Sequence, residues 1–269
     1  MAWLTGWKKR RAFQVPISKV GASLTHFPIL VKISNSSGLN SVDLTPIFDE
    51  VGANSLKIAV TKSDGETQLY VEIQRWDDIS EQAWLWVSDS SLSLSPSSAN
   101  LFYIYYDNTQ SDNTTYVGLT RSTPAEAVWD DDFRFVSHMN DNPDNAHIRD
   151  SCPYHNDGTK ASANNPLQNL TAPIIGSDQS FSGDYISIPD HTSLIPYDRI
   201  TLEAWVRPYS LTNDKIIGKL SLGPNLGYLL GITGGNLYPE VYDTSSNNTT
   251  FQTGAPIVLD STNYISMTY

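Results

Sequence analysis

The chain has 269 residues, with 29 Asp and Glu against 17 Lys and Arg, and a formal net charge of −12. That balance repels nucleic acid, and the one basic run, Lys8-Lys9-Arg10-Arg11, is too short to reverse it. Aromatic residues at 11% exclude a disordered chain, and the single cysteine, Cys152, excludes an intramolecular disulfide and a thiolate-rich zinc site.

The N-terminus sets its basic cluster after a short apolar part, the reverse of a secretory signal. No stretch approaches the ~18 apolar residues of a membrane span, so no membrane insertion is expected. Arg11–Ser18 and Phe27–Ile33 read as strands. Leu56, Ile58 and Val60 alternate with smaller or polar residues, as do Leu69, Val71 and Ile73. Between these runs Ser63-Asp64-Gly65-Glu66 supplies a tight turn; Asp-Gly suits a type I′ turn, which needs positive φ. Ala83–Val87 and Leu101–Tyr106 form a further pair. The polar stretch from Asp107 to Pro124 carries no long apolar run and marks a boundary. Beyond it lie Phe133–Met139, Asp184–Ile188, Ile200–Val206, Lys215–Ile217, Tyr228–Ile232, Leu237–Tyr242, Ile257–Leu259 and Tyr264–Tyr269. No segment sustains a helical period, and short strands with turn residues between them argue for an all-β chain of two tandem antiparallel sandwiches. The expected division is residues 1–110, a linker at 111–126, and residues 127–269.

Residues 179–190 read Gln-Ser-Phe-Ser-Gly-Asp-Tyr-Ile-Ser-Ile-Pro-Asp, and residues 200–208 read Ile-Thr-Leu-Glu-Ala-Trp-Val-Arg-Pro. This pair of segments resembles the laminin-G-like, concanavalin A-like jelly-roll family, over about residues 127–269. The final strand looks like one that the family follows with further strands, so the second domain reads as incomplete. Trp7-Lys8-Lys9-Arg10, Phe27-Pro28-Ile29-Leu30-Val31, residues 70–76, residues 83–87 and residues 101–108 resemble a domain of unknown function that precedes such modules in bacterial, archaeal and viral proteins. The resemblance implies a jelly roll that often holds calcium at the sandwich edge, and a virion or extracellular location.

Candidate chemistry gathers in an acidic stretch holding Asp130, Asp131, Asp132, Asp141, Asp144, Asp150, Asn156 and Asp157-Gly158. Calcium takes six to eight oxygen ligands, which such residues supply, and Asp150, Asn156 and Asp157 are the first choices. The alternative is that these side chains cap turns. His138, His147 and His155 invite a transition-metal reading, but His138 fits better as a packed strand residue. Catalysis on this fold needs two carboxylates on one strand face at i and i+2. Glu203 stands alone, Glu240 with Asp243 has the wrong spacing, and the protein is expected not to be an enzyme. Sugar rings stack on exposed aromatic rings. Trp84, Trp86, Tyr103 and Tyr105 read as core filler, while Tyr154, Tyr185, Tyr228 and Tyr242 have polar or small neighbours and are the candidate ligand contacts. Gly218, Gly223, Gly231, Gly234 and Gly235 read as turns and close approaches. The expected function is non-catalytic recognition or adhesion, binding glycans through the loop edge of the second domain, with glycans or a cell-surface receptor as partner and a virion tail or surface component as setting. The alternatives are a structural subunit packing against copies of itself or other virion proteins, and a glycoside hydrolase with its catalytic pair missing.

Overall fold

The computed structural model describes residues 2–170, 173–196, 198–220, 227–242, 248–250 and 256–269; Gly223 and Asp243 lie outside the described residues. Strands hold 42% of the residues and helices 8%, so the protein is all-β. The chain forms two compact units, Met1–Pro189 and Asp190–Tyr269.

The first unit is built on a seven-stranded sheet. Its order is Arg10–Val15, Asn100–Tyr106, Ile58–Lys62, Gln68–Asp77, Gln82–Ser88 and Ile29–Ile33, all antiparallel. A short strand, Val117–Leu119, lies parallel to Val71–Ile73. Alternation decides which side chains meet. Ile58, Val60, Leu69, Val71, Ile73, Leu85, Val87, Phe102 and Ile104 point to one face and pack under the short helix Pro46–Val51. Full burial of an aliphatic side chain contributes about 1.5–3 kcal/mol, so this layer dominates the unit's stability.

The opposite face is covered too. Tyr103 and Tyr105 pack against Leu4 and Trp7. Trp86 and Tyr70 pack against Val128, Trp129 and Cys152. The segment expected as a linker is therefore part of the unit: Val117 and Ala125 are buried, and Asn113 donates to the Ile58 carbonyl at 3.0 Å and to Gln68 at 2.9 Å. The contacts divide the chain near residue 190 instead.

Asp64 and Gly65 close the hairpin between Ile58–Lys62 and Gln68–Asp77, but not as a type I′ turn. Only Gly65 has positive φ, +83°, and its amide bonds the Lys62 carbonyl at 3.0 Å. That is a type I turn closed by a glycine bulge. Asp64 accepts from the amides of Glu66 at 2.9 Å and Thr67 at 3.0 Å.

A four-stranded sheet of Ser137–Asp141, His147–Asp150, Gly158–Lys160 and Ile186–Ser187 completes the first unit, beside the Leu167–Asn169/Asp178–Ser180 hairpin. In the second unit, Asn213–Leu220, Gly227–Thr233, Asn236–Tyr242 and Asn248–Thr250 form an antiparallel meander. Thr201–Val206 pairs with Asn263–Thr268 as a two-stranded ribbon. Leu230, Ile232, Leu237 and Val241 of the meander pack against Ile265 and Met267 of the ribbon, with Leu202, Ala204 and Val206 beside them.

Candidate functional site

In the first unit the densest polar cluster surrounds Glu72, which is fully buried. Its Oε1 accepts from the hydroxyls of Thr120 and Ser151, each at 2.7 Å, and its Oε2 accepts from the Trp129 indole at 2.7 Å. His138 Nε2 lies 3.2 Å from Oε2, off the hydrogen-bond line, as an electrostatic contact. Burial raises the Glu72 pKa, but His138 and the hydroxyl donors outweigh it and hold the carboxyl below its ordinary range. The imidazole stacks on Trp86 with centroids 5.9 Å apart. His138 is the packed strand residue that its sequence position implies, and it and Glu72 are both buried.

The acidic loop folds around Asp150, also fully buried. Asp150 Oδ1 accepts from the amides of Val136 at 2.9 Å and Cys152 at 3.0 Å, and Oδ2 from the Asn156 amide at 2.9 Å. Asp157 Oδ1 accepts from the Asp150 amide at 2.9 Å, and Oδ2 pairs with Arg121 at 2.5 Å. Asn156 Nδ2 donates to the Arg134 carbonyl at 2.7 Å. Sequence proximity thus brings these residues together, but their carboxylates are turned onto amides and a guanidinium. Such a donor set does not fit calcium, which needs six to eight oxygens facing one point. Among the described residues no group of three or more His, Cys, Asp or Glu is disposed to hold a metal. Burial lifts the Asp150 pKa above the ordinary range, and the three amides only partly offset it. Burial likewise drives the Cys152 thiol far up, so it stays protonated.

His147 pairs with Asp144 and His155 with Glu126, each at 2.7 Å. An open cleft of about 490 Å³ lies near the latter pair, lined by residues that include His26, Tyr70, Glu126, Trp129 and Asp130.

The four candidate tyrosines are scattered. Tyr154 lies half-buried under the Arg134 guanidinium, 4.9 Å from its ring centroid, and donates to the Asp131 carbonyl at 3.1 Å. Tyr185 is 63% exposed. Tyr228 is only 7% exposed because it shares the inward face of its strand with Leu230 and Ile232; this corrects its expected ligand role. Tyr242 donates to Glu240 at 2.9 Å, and Tyr238 donates to the same carboxylate from two residues before it.

A better-formed aromatic surface lies on the outer face of the ribbon in the second unit. Pairing sets Trp205 opposite Tyr264, Glu203 opposite Ser266 and Thr201 opposite Thr268. Trp205 and Tyr264 are 51% and 52% exposed, with ring centroids 5.1 Å apart. Tyr264 donates to Glu203 Oε2 at 2.5 Å. Burial and this bond push the Tyr264 hydroxyl up to about 12, so it remains a donor across the physiological range. The Thr201 and Thr268 hydroxyls lie 3.1 Å apart at the far end. The sequence carried the signal: Thr, Glu and Trp alternate with Leu, Ala and Val over 201–206, so the tryptophan belongs to the polar face.

No family model, no curated protein and no solved structure matches the chain.

Proposed function

We propose that the protein is a non-catalytic recognition protein that binds glycans through the outer face of the Thr201–Val206/Asn263–Thr268 ribbon. The observation that carries this reading is the exposed Trp205–Tyr264 pair. Two large aromatic rings left half in water on a rigid ladder retain apolar area to bury, and hydroxyl and carboxylate groups beside them supply directional bonds. Pyranose rings present that combination of an apolar C–H face and a hydroxyl rim. The laminin-G-like resemblance, and with it a place on a virion or cell surface, is consistent with such a role.

The test is a glycan array probed with the wild type and with Trp205→Ala, in calcium and in chelator. Selective binding that Trp205→Ala abolishes and chelator leaves intact supports the reading. Selective binding that survives Trp205→Ala moves the site elsewhere, and chelator-sensitive binding restores a metal site.

Self-assembly is the second reading, favoured by Leu167, Leu170, Ile174, Phe181 and Tyr185, all strongly exposed within one stretch of the first unit. Sedimentation of the wild type against Leu167→Lys/Phe181→Lys checks it: assembly through this stretch predicts a larger wild-type species that the double variant dissolves.

A further inference from the structure

Resting on the glycan reading of the ribbon, we infer that its ligand is an uncharged glycan with free neighbouring hydroxyls, and that anionic glycans are rejected. The six outer-face residues of the ribbon are Thr201, Glu203, Trp205, Tyr264, Ser266 and Thr268, and Glu203 is the only one with a formal charge. Its Oε2 is held by Tyr264, while Oε1 has no partner among the described residues. An ionised carboxylate only accepts hydrogen bonds. A ligand seated here must therefore bring donors, which sugar hydroxyls do and ionised sulfate or carboxylate groups do not.

Two cations flank the outer row: Arg199, before Thr201, has its Nε 3.9 Å from Asp198, and Arg207, beyond Trp205 at the stacking end, is already neutralised. Arg207 reaches Asp260 Oδ1 through Nε at 3.1 Å and Nη2 at 2.7 Å, and its guanidinium lies 5.5 Å from the Tyr209 ring centroid. Recognition of an anionic sugar relies on an unpaired Arg or Lys able to form charge-assisted bonds. At this face the like charge of Glu203 opposes it instead. Setting an anion against that carboxylate is unfavourable, the more so at low salt.

The geometry also sets an order along the ribbon. Trp205 and Tyr264 form the stacking end, and Glu203 with the Thr201, Ser266 and Thr268 hydroxyls forms the hydrogen-bonding end. From Thr201 to Trp205 the strand rises about 14 Å, long enough for more than one pyranose ring. Tyr264 links the two ends, because its ring stacks and its hydroxyl orients Glu203.

The experiment pairs neutral oligosaccharides with their sulfated and sialylated counterparts on one array, using the full chain. Wild type, Trp205→Ala and Glu203→Gln are compared, each shown to be folded by circular dichroism. The expected result is neutral glycans bound at least about tenfold more tightly than their anionic counterparts. Glu203→Gln should weaken neutral binding and narrow that gap, and Trp205→Ala should abolish binding. Anionic glycans bound as tightly as neutral ones, yet lost in Trp205→Ala, would overturn the selectivity and leave the glycan reading standing. An unchanged gap in Glu203→Gln would overturn the role of the carboxylate. No glycan bound by folded wild type would remove the glycan reading itself.

Discussion

Glu72 shows how much a single buried carboxylate can organise. It takes bonds from Thr120, Trp129 and Ser151 and faces His138, so it ties a central strand to four later positions in the chain. Glu72→Gln should lower the unfolding free energy by about 3–5 kcal/mol, the usual cost of breaking a buried charge pair; urea unfolding at neutral pH measures it. The pH dependence has a defined sign. The folded-state pKa lies below the ordinary value, near 4.3, so the stabilisation is present above that value and is lost as pH falls through the folded one. Wild type should lose stability in acid more steeply than Glu72→Gln, and parallel curves would contradict the assignment. Asp150 illustrates the opposite balance, a carboxyl whose burial cost exceeds the gain from its amide donors. Because its oxygens already serve Val136, Cys152 and Asn156, added calcium should leave the melting temperature unchanged. A rise that chelator reverses would show a bound ion, since ligand binding to the native state must stabilise it.

At the level of elements, the sequence is most legible where alternation is strict. Ile58–Lys62, Gln68–Asp77, Gln82–Ser88 and Asn100–Tyr106 all form where the apolar pattern sets them. The three-residue strands Val117–Leu119 and Gly158–Lys160 escape it, because they are too short to show a period. The expected strand at Ile257–Leu259 does not form; Ile257 is buried in the second core, while Val258 and Leu259 are exposed. The Glu72 cluster leaves no local trace either, since Glu72 lies 48 to 79 residues before its hydrogen-bonding partners. The calcium expectation rests on Asp and Asn close together in one loop and on a family resemblance, and neither reveals whether a carboxylate faces an ion or its own loop's amides. Turn chemistry supplies a sharper test. A Cβ on Gly65 would sit 2.4 Å from the Ala2 carbonyl, and its φ of +83° suits glycine alone. Gly65→Ala should therefore cost more than the ~1 kcal/mol of an ordinary Gly→Ala strain, read as a drop in thermal midpoint. Trp205→Ala, on an exposed ribbon face, should stay within about 0.5 kcal/mol of wild type, so that any loss of binding is a loss of contact.

For the whole molecule, the sheet of the first unit is covered on both faces, and part of that cover comes from residues beyond 110. A chain of residues 1–110 lacks every polar partner of Glu72 as well as the Val117–Leu119 strand. It should show no cooperative unfolding transition, whereas residues 1–189 should unfold as one two-state body; calorimetry of the two fragments distinguishes them. Cooperative melting of 1–110 alone would mean that the later cover is dispensable. The same feature constrains how such a chain can have been assembled from parts. Composition invites a crossover in the polar stretch near residue 110, but recombination there would leave a descendant that keeps residues 1–110 with an orphaned charge at the centre of its sheet. A crossover near residue 190 leaves that charge satisfied, so lineages that exchange their C-terminal modules should keep residues 1–189 together as one heritable block.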